Sequence, residues 1–311
     1  MGYPTESIAK GVPFNPLFTF ECGQAFRWKR LSQTSEDWLG IILGNLVRVK
    51  GDSLRVLGRA EQDASRTDAF DLRKYFSLEH DLDQILSSLP KDPFLISAVK
   101  EYYGLRILRQ DPWECIISFL CSINCNIPSI KLKIENLCRR FGTRIESGVM
   151  DGEYYSFPEA NSLAGAEKRE LLSCKLGFRW KYVRYVSKKV AKGELKLGSL
   201  SRSSYHTACD ELISEASDKT LGVGPKVADC VCLFSLGMLE AFPIDIWMIR
   251  CLMSQYRDLI GFCSKKVPNQ LPPRRYQKWA EIMRSHFGSS AGYAQQYLYM
   301  KMRNSWRVHS K

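Results

Sequence analysis

The spacing of apolar residues changes at about residue 90 and divides the sequence into two parts. In the first part, short apolar or alternating runs at 38–43, 46–50 and 54–57 are separated by turn signals at 44–45 and 51–53. Runs of this length between turn residues are typical of short β-strands in a meander. Residues 71–89 then show helical spacing.

From about residue 92 onward, apolar residues recur at the period of amphipathic helices. The most apolar segment opens at Asp111 and Pro112, which suit the N-cap and the first turn of a helix, and ends near Asn124. Predicted helices cover residues 94–103, 112–124, 130–141, 159–174, 178–193, 204–215, 225–236, 246–256, 275–286 and 290–304. We therefore expect an α+β fold, with a β-rich antiparallel domain over 1–90 and a mostly helical domain of two subdomains over 91–311.

A glycine turn precedes one of these helices, within the sequence Leu-Gly-Val-Gly-Pro-Lys-Val-Ala-Asp-Cys at 221–230. Gly222 and Gly224 permit a tight turn and a close approach to another surface, and Pro225 suits the first helical turn. Free N–H groups at such a helix N-terminus can bind a phosphate. An ordinary turn between two helices also explains the glycines, so both interpretations stay open.

Two residues near this turn can carry chemistry. Lys226 lies in the first helical turn, where the helix dipole favours the neutral amine that a nucleophile needs. A surface lysine paired with Asp229 or Glu240 is the alternative. Asp245 ends a Phe-Pro-Ile-Asp sequence just ahead of an apolar run, so it suits catalysis, a helix N-cap, or both.

The composition narrows the range of partners. The 311 residues carry a formal net charge of +12, which favours a polyanion, with nucleic acid ahead of a membrane surface. No apolar stretch reaches the roughly 18 residues that span a membrane, and residues 1–10 lack the apolar run of a secretion signal. We expect an intracellular protein, in the cytoplasm or nucleoid of a prokaryote or in the nucleus of a eukaryote.

The eleven cysteines include no Cys-x-x-Cys pair, so we expect neither a zinc site nor a redox motif. Many lie in apolar helical runs and are interpreted as small core residues in a reducing compartment.

The glycine turn, Lys226 and the Pro-x-Asp sequence that ends at Asp245 together resemble the helix-hairpin-helix DNA glycosylases. Within that group the chain is most similar to the 8-oxoguanine DNA glycosylase/lyases, from residues 22–28 to the last helix and most strongly at 108–112, 122–127 and 222–245. The resemblance implies base excision repair, with 8-oxoguanine flipped out of duplex DNA and excised. It also implies that the hairpin spans about residues 215–236 of a helical glycosylase core.

The resemblance assigns the chemistry to two residues. Lys226 would attack C1′ of the damaged nucleotide, displace the base and leave a Schiff base, from which β-elimination nicks the strand. Asp245 would stabilise the positive charge that develops on the sugar.

The resemblance also implies a base pocket, formed by Gly23, Cys230, Pro243, Gln295 and Tyr299. The Gly23 carbonyl would accept the hydrogen on N7, which 8-oxoguanine has and guanine lacks. Cys230 would stack on one face of the base, and Tyr299, where the family usually has phenylalanine, on the other. Gln295 projects with Tyr299 at i, i+4 and would bond the Watson–Crick edge. From the residues alone, these positions can also be a turn glycine, a packed thiol and an aromatic core helix.

Further residues are predicted to contact DNA: Asn124, Asn126, Phe178, Arg179, Gly222, Val223, Gly224 and Trp247. By resemblance, Asn124 would fill the gap left by the flipped base, Phe178 would act as a wedge, and Arg179 would read the estranged cytosine. Trp247 stands where relatives often have a histidine near a phosphate.

Ser129 departs from the family pattern, because it stands where a second cytosine-reading arginine is expected. We therefore expect a looser preference for cytosine opposite the lesion, unless Asn126 compensates.

Some relatives carry an iron–sulfur cluster on four closely spaced C-terminal cysteines. No cysteine follows Cys263, so we expect no cluster and no catalytic metal. Backbone carbonyls of the hairpin could hold a structural cation that takes no part in the chemistry. We expect a monomer whose partner is double-stranded DNA containing 8-oxoguanine.

Two other functions stay open. A monofunctional glycosylase for alkylated bases would share the hairpin and the aspartate but generally lacks the lysine, so Lys226 argues against it. A non-enzymatic hairpin module that only binds DNA needs no buried carboxylate, so Asp245 argues against it.

Overall fold

The computed structural model describes residues 5–60, 71–218, 221–262 and 266–309. An antiparallel sheet contains the strands β1 Thr5–Ser7, β2 Lys29–Arg30, β3 Asp37–Ile42, β4 Asn45–Lys50, β5 Ser53–Arg59, β6 Arg144–Ser147 and β7 Tyr154–Tyr155. Its strand order is β2-β3-β4-β5-β6-β7, and β1 pairs with the first half of β5.

The predicted meander is confirmed, and both of its faces are covered. Trp38 on β3 lies opposite Val49 on β4, and both side chains are buried on one face of the sheet. Leu39 and Leu46 pack with Ile145 on the other face. Because each face meets apolar neighbours, the strands appear in the sequence as apolar runs more than as strict alternations.

Two strands come from a part of the chain that we expected to be helical. β6 pairs with β5, with Gly58 opposite Ser147 and Arg59 opposite Glu146, and β7 pairs with β6. The expectation of helix from about residue 92 onward was wrong here, because strands of 4 and 2 residues are too short to show a period. Residues 144–155, which we assigned to the helical domain, therefore extend the N-terminal sheet.

Helices make up most of the remaining structure. They are α1 Pro16–Glu21, α2 Leu72–Tyr75, α3 Leu82–Ser88, α4 Pro93–Glu101, α5 Pro112–Cys121, α6 Ile127–Phe141, α7 Ala160–Gly165, α8 Lys168–Ser173, α9 Trp180–Ala191, α10 Leu197–Leu200, α11 Tyr205–Glu215, α12 Pro225–Phe234, α13 Ile246–Gln255, α14 Arg257–Ile260, α15 Pro273–Phe287 and α16 Ala291–His309. The single helices predicted at 71–89 and 159–174 are each two short helices. In both cases an internal acidic residue, Asp81 or Glu167, caps a new helix.

The helices pack around α5, whose residues are buried all round. A cleft forms where the loop between α5 and α6 meets α12, α13 and α16. The N-terminal part reaches this cleft through residues 22–24, which Gln24 holds in place. Its amide nitrogen donates to the carbonyls of Thr19 and Arg106 at 2.8 Å, and its amide oxygen accepts from Leu108 N at 2.8 Å. The two parts of the chain therefore share one site.

No helix in the described ranges is long and apolar enough to cross a membrane. The described cysteines are free thiols, and Cys263 lies outside the described residues.

Candidate active site

The predicted hairpin joins α11 to α12 through two short strands, β8 Ser217–Asp218 and β9 Leu221–Gly222. Gly222 has a φ of 114°, a conformation that side chains disfavour. Gly224 is the N-cap residue of α12 and Pro225 takes the first turn, as predicted. The side chain of Val223 is buried beneath the turn.

Lys226 points from the first turn of α12 into the cleft. Its Nζ lies 3.4 Å from Ser122 Oγ and 5.7 Å from the ring centroid of Phe119. Asp229, which the sequence offered as an ion-pair partner, instead accepts hydrogen bonds from two tyrosines. Within the described residues Lys226 forms no salt bridge, so the amine stays available to the cleft.

Asp245 caps α13 and also lines the cleft. Its Oδ1 accepts from the backbone nitrogens of Trp247 and Met248, both at 2.9 Å. Burial raises the pKa of Asp245 above its usual value, while the charge of Lys226 and the two cap bonds act in the opposite direction. Both cap bonds use Oδ1, so the helix cap does not occupy Oδ2.

One cavity of about 230 Å³ brings most of the predicted residues together. It is lined by Gly23, Asn126, Lys226, Cys230, Pro243, Asp245, Trp247, Gln295 and Tyr299, among others. The structure therefore collects both predicted catalytic residues and all five predicted base-pocket residues at one place, although they come from four separate parts of the chain.

Gly23 and Tyr299 are in close contact across this cavity. Gly23 has a φ of 77°, and a Cβ there would lie 2.8 Å from the Tyr299 hydroxyl oxygen. Burial raises the pKa of Tyr299 to about 12. The Arg303 guanidinium carbon lies 5.2 Å from the Tyr299 ring centroid, and Nη1 donates to the hydroxyl at 3.4 Å.

The other walls of the cavity are also buried. Burial raises the pKa of Cys230 to about 12, so the thiol stays protonated and behaves as an apolar surface. Gln295 Nε2 donates to the Pro243 carbonyl at 3.0 Å, and its Oε1 accepts from Gln296 Nε2 at 2.6 Å. These two bonds fix the orientation of the Gln295 amide.

Sequence reasoning missed Ser122, Gln296 and Arg303 as cavity residues. A signal for Arg303 was present, because Gln295, Tyr299 and Arg303 form an i, i+4, i+8 stripe on α16. Ser122 and Gln296 carry no comparable local signal.

Several of the predicted DNA-contacting residues lie at or near the loop between α5 and α6. Phe178 is 49% exposed, as a wedge would be. Asn124 has a φ of 48°, and Asn126 caps α6 by accepting from Ser129 N at 3.0 Å. Of these three residues only Asn126 lines the cavity, and the predicted contact Trp247 lines it as well.

The side chain of Arg179 is not arranged as expected for an arginine that is free to contact a base. Its side chain is buried, and its guanidinium donates to the backbone carbonyls of Ile123, Asn124 and Leu176. It therefore holds the turn that presents Asn124. Recognition of the estranged cytosine by Arg179 stays a prediction. It requires the guanidinium to exchange these backbone hydrogen bonds for bonds to the base.

Ser129, the departure from the family pattern, contacts a buried lysine. Lys133 Nζ donates to Ser129 Oγ at 2.6 Å and to Cys125 Sγ at 3.2 Å. Burial alone would raise the pKa of Cys125, but the Ser129 and Lys133 bonds and nearby positive charges together lower it.

A buried hydrogen-bond chain connects the lysine helix to the aspartate loop. The Tyr276 hydroxyl donates to Asp229 Oδ2 on α12 and accepts from Ile244 N, one residue before Asp245. Burial raises the pKa of Asp229, and its tyrosine bonds oppose that rise. Through Tyr276, the helix that carries Lys226 is therefore hydrogen-bonded to the loop that carries Asp245.

The chain is similar to proteins of known family. Residues 8–116 match the family model of the 8-oxoguanine DNA glycosylase N-terminal domain. The chain is 32% identical to an N-glycosylase/DNA lyase of Arabidopsis thaliana, over 91% of this chain and 75% of that one. It is 30% identical to the N-glycosylase/DNA lyase of Saccharomyces cerevisiae, over 90% and 81% of the two chains.

A solved structure is also similar. The Clostridium acetobutylicum 8-oxoguanine glycosylase/lyase in complex with double-stranded DNA, with cytosine opposite the lesion, superimposes with a TM-score of 0.78 at 31% identity, covering 94% of this chain and 93% of that one. Two curated relatives at 30% identity or more, each matched over at least 75% of its length, show the family. The chain therefore belongs to the 8-oxoguanine DNA glycosylase family, the N-glycosylase/DNA lyases of the helix-hairpin-helix superfamily.

Proposed function

We propose that this protein excises 8-oxoguanine from duplex DNA and then cleaves the strand at the resulting site, as a bifunctional glycosylase and lyase in base excision repair. The observation that carries the proposal is the meeting of the Lys226 amine and the Asp245 carboxylate in one cavity with an apolar base pocket. A monofunctional alkylbase glycosylase, the alternative from the sequence, needs no amine at this position.

The reaction begins at C1′ of the flipped nucleotide. The lone pair of the neutral Lys226 amine forms a bond to C1′ while the bond from C1′ to N9 breaks, and its electron pair leaves with the base, which then takes up a proton. The Asp245 carboxylate, which lines the same cavity, stabilises the positive charge that develops on the sugar.

The lyase step follows from the bond to nitrogen. Opening of the sugar ring converts the aminal to a protonated Schiff base, which acidifies the hydrogens on C2′. Loss of a C2′ proton then expels the 3′ phosphate by β-elimination. The products are a cleaved strand and, after hydrolysis of the imine, free Lys226.

Base recognition is divided among the walls of the cavity. The Gly23 carbonyl accepts the N7 hydrogen of the oxidised base, and Gln295 bonds the Watson–Crick edge with an amide already oriented by its neighbours. Cys230 and Tyr299 enclose the two faces of the ring. Guanine presents an acceptor at N7, so a carbonyl there disfavours the undamaged base.

Selection of the opposite base should be loose. Ser129 offers no cation, and the donors of Arg179 are engaged with backbone carbonyls. The duplex itself is held by the hairpin amides at 222–224 and by the positive charge of the protein.

The remaining parts of the proposal rest on the sequence. The enzyme is a monomer and works in the compartment that holds the DNA. It carries no iron–sulfur cluster, and a cation at the hairpin bridges to a DNA phosphate and takes no part in the reaction. Within the described ranges, no three metal-ligating side chains of His, Cys, Asp or Glu are grouped.

Borohydride trapping tests the proposal, on a duplex with one 8-oxoguanine opposite each of the four bases in turn. Reduction of the Schiff base should give a covalent adduct with the wild-type protein and none with Lys226→Gln. Lys192→Gln is the matched control, because it removes a lysine with a side chain that is 69% exposed. Base release without an adduct would refute the lysine mechanism. If no base is released from any of the duplexes, 8-oxoguanine in DNA is not the substrate. A strong preference for cytosine would refute the looseness ascribed to Ser129.

A further inference from the structure

Arg250 on α13 is held between two tryptophan rings, next to the active-site cavity. Its guanidinium carbon lies 4.7 Å from the ring centroid of Trp247 and 4.3 Å from that of Trp306. The two rings also contact each other edge to face, at 6.3 Å between centroids. Trp306 comes from α16 and is 49% exposed.

The guanidinium has no other partner in the described part of the chain, where it forms neither a hydrogen bond nor an ion pair. The contacts with the two rings use none of the guanidinium N–H groups as hydrogen-bond donors, so these groups stay available to an acceptor. Because the rings already restrict the side chain, binding an anion costs Arg250 little conformational freedom. The arrangement is therefore a preformed donor fork of the kind that binds phosphate.

A groove of about 400 Å³ opens at this stack. Its polar lining comes from Arg250, Arg257, Ser254 and Asn269, and no acidic residue is among the described residues that line it. Ile246 lines both this groove and the active-site cavity, so the two are neighbours. An anion in the groove would lie beside a nucleotide bound in the cavity.

We propose that this groove binds a backbone phosphate of the lesion-containing DNA strand, with Arg250 as the direct contact and Trp306 as the exposed aromatic surface for the neighbouring nucleotide. This proposal depends on the proposed function in one respect, namely that the ligand of the protein is DNA. The position beside the cavity and the available N–H groups of Arg250 favour a DNA strand over a protein segment or a free anion.

The test measures binding to a duplex that carries a stable abasic analogue, which the enzyme cannot cleave, as a function of salt. Arg250→Gln should lower the slope of log K against log salt by about one, the value for one lost phosphate contact. Affinity should fall about tenfold, in line with one charge-assisted contact. Arg169→Gln is the matched control, because it removes an arginine with a side chain that is 84% exposed and lies outside both cavities.

Phosphate ethylation interference gives a second result, and its first part uses the wild-type protein alone, so that part does not depend on a variant folding. Ethylation of one phosphate beside the lesion should weaken wild-type binding, and Arg250→Lys should reduce that sensitivity while it retains the charge. Equal salt slopes for the Arg250→Gln and Arg169→Gln proteins, or no sensitive phosphate beside the lesion, would overturn the proposal. A third outcome would also overturn it, in favour of a site for a free anion. In that outcome inorganic phosphate quenches the tryptophan fluorescence, while Arg250→Gln leaves the salt dependence of DNA binding unchanged. None of these results requires 8-oxoguanine to be excised, so failure of the proposed substrate would be distinguishable.

Discussion

A methyl group at position 23 should damage the base pocket through Tyr299. The Cβ of Gly23→Ala would lie 2.8 Å from the Tyr299 hydroxyl oxygen and 3.3 Å from Cζ. The ring has little room to withdraw, because Tyr299 is 8% exposed and Arg303 lies against it. Either the ring or residues 22–24 must therefore move into the cavity.

Two costs add in this variant. The φ of 77° costs a residue other than glycine about 1–2 kcal/mol, and this loss should appear in the free energy of unfolding. Displacement of the base-stacking ring should lower kcat/KM for 8-oxoguanine release by about tenfold or more, equivalent to about 1.4 kcal/mol of lost transition-state stabilisation.

Tyr299→Phe separates the two costs. This substitution removes the hydroxyl oxygen that lies closest to the new methyl group, and it also removes a long hydrogen bond from Arg303. By itself it should therefore change the free energy of unfolding by only about 0.5–1 kcal/mol. In the double variant the nearest contact becomes 3.3 Å, so activity should recover in part while the backbone cost remains.

The assay is a double-mutant cycle, with single-turnover base release and urea unfolding measured on the Gly23→Ala, Tyr299→Phe and double variants. A coupling energy near 1 kcal/mol in activity is expected. If the effects of the two substitutions on activity are purely additive, the new methyl group does not clash with the Tyr299 hydroxyl, and the reasoning fails.

Three further results are expected. Tyr276→Phe removes the hydroxyl that receives Ile244 N, which should destabilise the protein by about 1 kcal/mol and slow base release more than it changes KM; unchanged kcat would count against a positioning role. Because burial raises the pKa of Asp245, the rate of base release should be full above that pKa and fall as the pH decreases through it. Asp245→Asn keeps the N-cap and should fold normally, yet lose about 100-fold in rate together with this pH dependence. The lowered pKa of Cys125 leaves more thiolate at neutral pH, so iodoacetamide should modify it faster than the buried cysteines, and Lys133→Met should slow the reaction as followed by peptide mass spectrometry.

Local sequence signals predicted most of the fold correctly. Helical periods, caps such as Asp111, and turn glycines act over a few residues, so they can be recognised without tertiary contacts. The strands at 144–155 could not be predicted in this way, because their pairing with β5 depends on a partner far away in the chain. The breaks within 71–89 and 159–174 were missed because apolar spacing continues across them.

The sequence by itself determined the chemistry of the site: a lysine in the first turn of the hairpin helix, an aspartate ahead of the next helix, and a basic chain suited to DNA. The tertiary structure decided which atoms those residues can use. It placed Gly23 against Tyr299 and turned the donors of Arg179 inward to backbone carbonyls. It also left the donors of Arg250, beside two indole rings, without a hydrogen-bond partner among the described residues. The physical reason is that hydrogen-bond and stacking partners are chosen by packing between distant segments, whereas residue type and local period are written in the sequence.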